Sequence, residues 1–323
     1  MDGKFLFLRG QVPTDRDPKQ IMFSNIINCD DMWTQLAYNL SKNGYGEIWY
    51  WGGKRGVVYK DYFVERWLPS FKKILSDFKP DVIFARGGFK EYDQVLNRNP
   101  QAFKIYYGAG RRFMPRGNFT NYNLILVDTH DQLQQANTKF PKIKCSLFIK
   151  PCAENVFKPS LKVKKDYDII LVGNYSPKVN KGHDFAFNII PPKYRIVSVG
   201  KVPKSVRRKY PHIHFTGWIP RKNIPSFYGR SKVSIICCGT IDSCPRIVPE
   251  SLACNCPILI LDRVNFWKEK YINEKAGMVT TKNNFLKDLN YMINNYDNYS
   301  PHKYYVDNLS IESSVNDLLK YVR

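Results

Sequence analysis

The chain has 323 residues, with 50 Lys and Arg against 28 Asp and Glu and a formal net charge of +22, an excess that implies an anionic partner. With 43% hydrophobic and 15% aromatic residues it is neither disordered nor a coiled coil, and at about 150 residues per domain it suits two domains, each with its own core. The longest apolar runs, such as 233–238 with Ser234 inside it, fall short of the roughly 18 residues a membrane-spanning helix needs. Residues 4–8, Lys-Phe-Leu-Phe-Leu, read as a first strand and are too short for the apolar part of a signal peptide. Over 30–43, Trp33, Leu36, Ala37 and Leu40 share one helical face, and Lys42-Asn43-Gly44 supplies a stop. A strand over 47–51 follows. Residues 63–78 repeat the helical spacing with Trp67, Phe71, Ile74 and Leu75 until Lys79-Pro80 breaks it, and strands are expected over 81–85, 103–107 and 124–127.

After the basic, linker-like stretch 158–165, a second alternation of strands and helix-length segments begins, with strands at 168–172, 195–199, 212–215, 233–237 and 257–261. The chain closes on a helix over 310–322 with Ile311, Val315, Leu318 and Leu319 on one face. This pattern predicts an α/β protein of two doubly wound, Rossmann-like domains, residues 1–157 and 158–304, with 305–323 packing back on the first domain. Ligands are then expected in the cleft at the carboxyl ends of the strands. The eight cysteines form no paired CxxC sets and read as buried, reduced thiols. Cys254-Asn255-Cys256, the one close pair, lacks the further ligands of a zinc site, so no metal is expected.

The most informative stretch is 242–260, Asp-Ser-Cys-Pro-Arg-Ile-Val-Pro-Glu-Ser-Leu-Ala-Cys-Asn-Cys-Pro-Ile-Leu-Ile, set between two strands. A loop carries the carboxylate of Asp242, a helix begins near 247–249, and Glu250 falls in its first turn. Pro249 suits an early helical position, where its missing N–H leaves nothing unpaired. No Ser, Thr, Asp or Asn caps the helix, so its first N–H groups are expected to face an external anion, for which a diphosphate would serve.

This stretch resembles the E-x7-E signature of retaining GT-B glycosyltransferases of the family-four type, E-G-x-P-x-x-x-x-E-A-x-A-C-G-x-P-V. Asp242 and Glu250 have its spacing, and Pro245, Ala253, Cys254 and Pro257 fall on its positions. Residues 151–159, Pro-Cys-Ala-Glu-Asn-Val-Phe-Lys-Pro, resemble the family's interdomain segment, and Val172-Gly173, Lys181-Gly182, Val199-Gly200 and Phe215-Thr216-Gly217 match in order. The resemblance implies a GT-B fold and transfer of a sugar from a nucleoside-diphosphate sugar to an acceptor hydroxyl of a glycan, glycolipid or glycoprotein, with retention and without a required cofactor or metal.

On that resemblance Glu250 holds the ribose hydroxyls, Asp242 accepts from hydroxyls of the donor sugar, and Lys181 neutralises the leaving diphosphate. The backbone at Cys244, Pro245, Arg246, Ile247 and Val248 faces sugar and phosphates, and the base lies against Trp218 and Ile219. Gly173, Asn174 and Lys178 belong to the phosphate loop, and Gly10 with Gln11 closes over it. The chain departs from the pattern in five places. The first acid is Asp, Ser243 replaces a glycine, and Asn174 stands where an Arg is usual, so that Lys178 or Arg246 is expected to supply the second positive charge. Where the family has a first-domain histidine the sequence reads Tyr107-Gly108-Ala109-Gly110-Arg111-Arg112. Asn255 replaces the glycine of A-C-G, a substitution Asn tolerates because it visits the left-handed region.

Arg86, Arg111 and Arg112 follow first-domain strands and are candidates for holding an anionic acceptor. The histidines have no visible partner, and His183, beside Lys181-Gly182, is the one placed to approach phosphate. Lys201, Lys204, Arg207, Arg208 and Lys209 form a basic cluster with Tyr210, compatible with anionic lipid head groups and hence with a cytoplasmic protein in peripheral contact with a membrane. The same charge fits a nucleic-acid binder, although no helix-turn-helix, RNP-like or zinc-finger pattern accompanies it. A sugar-nucleotide-binding module without turnover is a third reading.

Overall fold

In the computed structural model the described residues are 3–8, 32–42, 47–52, 55–60, 63–68, 79–87, 90–108, 119–160, 163–176, 181–239, 245–264 and 266–322. The chain divides into two compact units, Met1–Ile149 with Ile311–Arg323, and Lys150–Ser310.

The first unit is built on an eight-stranded sheet, β1 (Lys4–Leu8), β2 (Glu47–Gly52), β3 (Arg55–Lys60), β4 (Phe63–Leu68), β5 (Val82–Arg86), β6 (Phe103–Gly108), β7 (Leu124–Val127) and β8 (Lys144–Leu147), in the order β4-β3-β2-β1-β5-β6-β7-β8. Strands from β2 to β8 across the centre are parallel, with Phe5 opposite both Ile48 and Val82. Successive side chains of a strand face opposite ways, and the apolar runs therefore feed two cores. Phe5, Phe7, Val82, Phe84, Ile105, Tyr107, Leu124 and Leu126 pack with Trp33, Leu36 and Leu40 of α1 (Met32–Lys42) and with Ile311, Val315, Leu318 and Leu319 of the C-terminal helix, Ile311–Val322. Leu6, Leu8, Ile83, Ala85, Tyr106, Ile125 and Val127 pack on the other face with Tyr92, Val95 and Leu96 of α2 (Lys90–Arg98) and with Ala136 of α3 (His130–Lys139).

The first six residues of one expected helix form a strand. The spacing over 63–78 reads as helical, yet 63–68 is β4, antiparallel to β3 with Lys60 opposite Phe63 and Gly56 opposite Leu68. Its aromatic and β-branched residues suit a pleated surface, and pairing with the preceding strand decides between two patterns that such a short run satisfies equally. Residues 69–78 lie outside the described residues.

The second unit carries six parallel strands, β9 (Tyr167–Val172), β10 (Ile196–Val199), β11 (Ile213–Gly217), β12 (Ser231–Ile236), β13 (Ile258–Leu261) and β14 (Gly277–Thr280), in the order β11-β10-β9-β12-β13-β14. Its helices are α4 (His183–Ile189), α5 (Lys204–Lys209), α6 (Ile224–Gly229), α7 (Ile247–Ala253), α8 (Lys268–Tyr271), α9 (Phe285–Asn294) and α10 (Pro301–Leu309). The strand order reverses between β9 and β12, which makes the carboxyl ends of these two strands the natural ligand crevice of the sheet. At their opposite ends Asp168 accepts from the Arg195 backbone and guanidinium and meets Lys232 at 2.9 Å. Burial alone would raise the Asp168 pKa, but these hydrogen bonds and charges outweigh it and bring the group down to about 2.

The division at Ile149 and Lys150 precedes the boundary expected at 157/158, because residues 150–157 are tied to helices of the second unit. The Lys150 N–H donates to Tyr271 Oη at 2.6 Å, the Cys152 N–H donates to Tyr305 Oη at 3.1 Å, and that hydroxyl donates to Glu154 Oε1 at 3.0 Å. Likewise α10 runs past the expected boundary at 304/305 to Leu309. Cys152, Cys237, Cys238, Cys254 and Cys256 are buried free thiols.

Candidate functional site

The loop after β9 and the short helix that follows β12 in the chain are described at the β9/β12 crevice. The first loop leaves β9 through Gly173 and Asn174. Asn174 Oδ1 accepts the Lys201 N–H at 2.9 Å, so this side chain ties the β9 loop to the β10 loop. Residues 177–180 lie outside the described residues, and with them Lys178. The loop resumes at Lys181, which is half-buried, and Gly182, whose φ is +80°. A Cβ on Gly182 would lie 2.1 Å from the Cys237 carbonyl oxygen, so this close approach presses the start of α4 onto the end of β12 and sets Lys181 beside the crevice.

His183 is buried and places Nε2 at 3.1 Å from the Gly173 carbonyl oxygen, while Nδ1 has no hydrogen-bond partner among the described residues. Burial lowers its pKa, which favours the neutral imidazole. It is thus a packed link between α4 and the β9 loop.

The second loop, 240–244, lies outside the described residues, and Asp242 and Cys244 are in it. From Pro245 the chain is described again: Pro245 is buried, Arg246 exposed, Ile247 half-buried and Val248 buried. Helix α7 starts at Ile247, where the sequence places it, with no side-chain cap hydrogen bond, and Glu250 sits in its first turn. Asn255 ends the turn that follows at φ +57°, the left-handed conformation its place in the motif demands.

Glu250 is only 4% exposed. Arg221 Nη2 donates to Glu250 Oε1 at 2.6 Å, and the guanidinium lies 5.0 Å over the Phe157 ring. Burial pushes the Glu250 pKa above the usual carboxylate range, with the charges of Arg221, Arg246 and Lys150 pulling the other way. Arg221 belongs to the turn after β11, just beyond Trp218, which is 65% exposed, and the half-buried Ile219. No sequence motif singled Arg221 out. Its partner is distant in sequence, and a surface-type arginine after Trp-Ile-Pro carries no local signal of that pairing.

Lys181, Gly173, Asn174, Trp218, Ile219, the 245–248 stretch and Glu250 therefore all belong to the second unit, on loops or turns after β9, β11 and β12. In the first unit Arg86 ends β5 with its guanidinium 5.5 Å over the Trp33 ring. The end of β6 is linked to β7 by the Tyr107 hydroxyl, which donates to Asp128. Gly10, Gln11, Arg111 and Arg112 lie outside the described residues.

Residues 153–306 match the family model described as Glycosyl transferases group 1. A sequence search of curated proteins finds no match. Among solved structures, sucrose-phosphate synthase from Thermosynechococcus elongatus is similar with a TM-score of 0.69 at 10% identity, covering 98% of both chains. Anabaena HepE, solved in complex with UDP, is similar with a TM-score of 0.60 at 12% identity, again over 98% of both chains. TarM gives 0.59 at 12% identity over 83% of this chain, which spans only 61% of TarM's length. Identities this low speak to the fold. The chain thus has the GT-B fold, and its second unit is similar to the group 1 glycosyl transferases.

Proposed function

We propose that this protein is a retaining glycosyltransferase of the family-four type, moving a sugar from a nucleoside-diphosphate sugar to a hydroxyl of a glycan or lipid-linked acceptor. The observation that carries the reading is Glu250: a buried carboxylate at the crevice of the second sheet, within the stretch that matches the family model, with one oxygen held by Arg221. A carboxylate accepts from two hydroxyls at once, as a ribose diol requires. HepE, of similar fold, is described in complex with UDP, which supports a nucleotide site in this architecture.

In this reading the donor's base lies along Trp218 and Ile219, the diphosphate faces the backbone of 245–248 and the Gly173 loop, and Asp242 holds the sugar. Lys181, with Lys178 or Arg246, stabilises the negative charge that develops on the departing diphosphate. The bond from the anomeric carbon to the diphosphate oxygen breaks as that oxygen takes the acceptor's proton, and the acceptor oxygen bonds to the anomeric carbon on the same face. Configuration is retained, and no separate side-chain base is needed. Arg86, Arg111 and Arg112 are the proposed contacts to an anionic acceptor.

Helix α5 supplies a surface for an anionic membrane. It buries none of its residues, and Lys204, Arg207, Arg208 and Lys209 are exposed and without a carboxylate partner among the described residues.

A thermal-shift panel of UDP, GDP, ADP and their sugars tests the donor reading. A ligand at 100 times its Kd stabilises by about 2.7 kcal/mol, on the order of 5–10 °C for a domain of this size. Stabilisation by one nucleotide series is the expected result, and silence from all of them contradicts the proposal.

A further inference from the structure

Glu250 has a partner, and that partner is itself held. Arg221 Nη2 reaches Oε1 at 2.6 Å, and its guanidinium rests on the Phe157 ring. No hydrogen bond from a described residue reaches Oε2, although the side chain of Glu250 is 5% exposed against 23% for that of Arg221. A buried carboxylate with one occupied and one unoccupied oxygen is half of a binding site. Building on the proposed donor reading, we infer that Arg221 is a positioning residue: it anchors Glu250 through Oε1 and leaves Oε2 to accept the hydroxyls of a nucleotide's ribose.

The chemistry of the pair favours this division. A guanidinium is planar, permanently charged and well suited to stacking, so Phe157 below it limits the directions in which Arg221 can donate. The carboxylate plane is fixed in turn before any ligand arrives. An unpaired carboxyl buried to this degree takes up a proton, and a protonated carboxyl turns one of its acceptors into a donor. The cations facing Glu250 are Arg221 from the turn after β11, Arg246 from the start of α7 and Lys150 from the first residue of the unit. The remaining titratable neighbours are Cys152, Tyr228 of α6 and Cys254 at the end of α7. Burial above all raises the pKa of all three, and the charge on Glu250 acts in the same direction, so they stay neutral. Of the three cations, Arg221 is the one in hydrogen-bond contact, so it governs the pH at which Glu250 becomes an all-acceptor group.

The test is calorimetric titration of the full chain with UDP, GDP and ADP across pH, for the wild type, Arg221→Met, Arg221→Lys and Lys222→Met. Methionine keeps an apolar stem over Phe157 without the charge, and Lys222 is the exposed neighbour in the same turn. Removing the contacting charge is expected to raise the midpoint of binding against pH by about 1–3 units. Arg221→Met then binds like the wild type at alkaline pH and weakens by about tenfold for each unit below its new midpoint. Arg221→Lys restores the profile in part, and Lys222→Met leaves it unchanged.

Loss of affinity by the same factor at every pH marks a structural role and overturns the inference, as does a wild-type profile in Arg221→Met. If Arg221→Met fails to fold, the carbon-13 titration of the Glu250 carboxyl decides. That signal is assigned by its loss in Glu250→Gln, and it is expected at higher pH in Arg221→Lys than in the wild type; an unmoved titration overturns the inference. Absence of nucleotide binding by the wild type at every pH refutes the donor reading itself, whereas wild-type binding with an unmoved Arg221→Met profile refutes this inference alone.

Discussion

Gly182→Ala tests the packing that places Lys181, and Gly217→Ala is its internal control. Both glycines have left-handed backbones, with φ of +80° at Gly182 and +70° at Gly217. They differ in space: a Cβ on Gly182 meets the Cys237 carbonyl oxygen at 2.1 Å, while one on Gly217 meets nothing within 4 Å. The left-handed penalty of about 1–2 kcal/mol is therefore common to both, partly offset by the roughly 0.4–1 kcal/mol that alanine gains by restricting the unfolded chain. Gly217→Ala should lose between about 0 and about 1.6 kcal/mol on that balance. Gly182→Ala must also move backbone, because the opposing atom is a carbonyl of the strand end, and a further loss of about 1–3 kcal/mol is expected. The assay is urea denaturation of wild type and both variants, with hydrogen exchange of peptides around 173–183 and 231–239 to localise the change. Equal losses in the two variants, or an unchanged exchange rate at the end of β12 in Gly182→Ala, would refute the close approach.

Glu250→Gln is expected to weaken nucleoside-diphosphate binding by about 1.5–3 kcal/mol, because the diol loses a charged acceptor; calorimetric affinity equal to wild type would move the nucleotide elsewhere. Asp168 has a folded pKa of about 2 against an ordinary 3.8, so its contribution is present above about pH 4 and lost as pH falls toward 2. With Arg195 52% exposed, Asp168→Asn should lower stability by about 1–2 kcal/mol at neutral pH, and denaturation curves of variant and wild type should converge in acid. Replacing Lys204, Arg207, Arg208 and Lys209 together by Ser should leave donor hydrolysis intact and reduce sedimentation with anionic vesicles. Each cation contributes about 1 kcal/mol there, within a Debye length of about 8 Å at physiological salt. Unchanged vesicle binding would remove α5 from that role.

Much of this architecture is legible from local pattern. Apolar runs such as Lys4–Leu8 and Tyr167–Val172 are buried on both faces of parallel sheets, so they leave unbroken signals. Helix α7 is announced by the coincidence of Pro249, Glu250 and the following Cys-Asn-Cys turn. The strand Phe63–Leu68 is not legible in the same way, because Phe63 and Trp67 satisfy a helical period and a strand propensity together and only pairing with Arg55–Lys60 separates them. Side-chain partners lie further from reach. Asn174 is engaged by the backbone of Lys201, Arg86 stacks on Trp33, and Glu250 is paired with Arg221. Each of these joins separate elements, and no spacing along the chain encodes them.

The central claim is that the second unit binds and activates a nucleotide sugar. The most direct measurement is release of nucleoside diphosphate from a panel of UDP-, GDP- and ADP-sugars, followed for the wild type and for Lys181→Ala. One sugar series should be hydrolysed slowly without acceptor and faster with one. Lys181→Ala should lose about 10²-fold or more of that rate, the scale seen when one donor to a developing negative charge is removed. The loss should persist at salt concentrations that screen surface charge. No release from any donor, together with tight and salt-dependent binding of DNA or RNA that nucleotide sugars do not compete, would contradict the account.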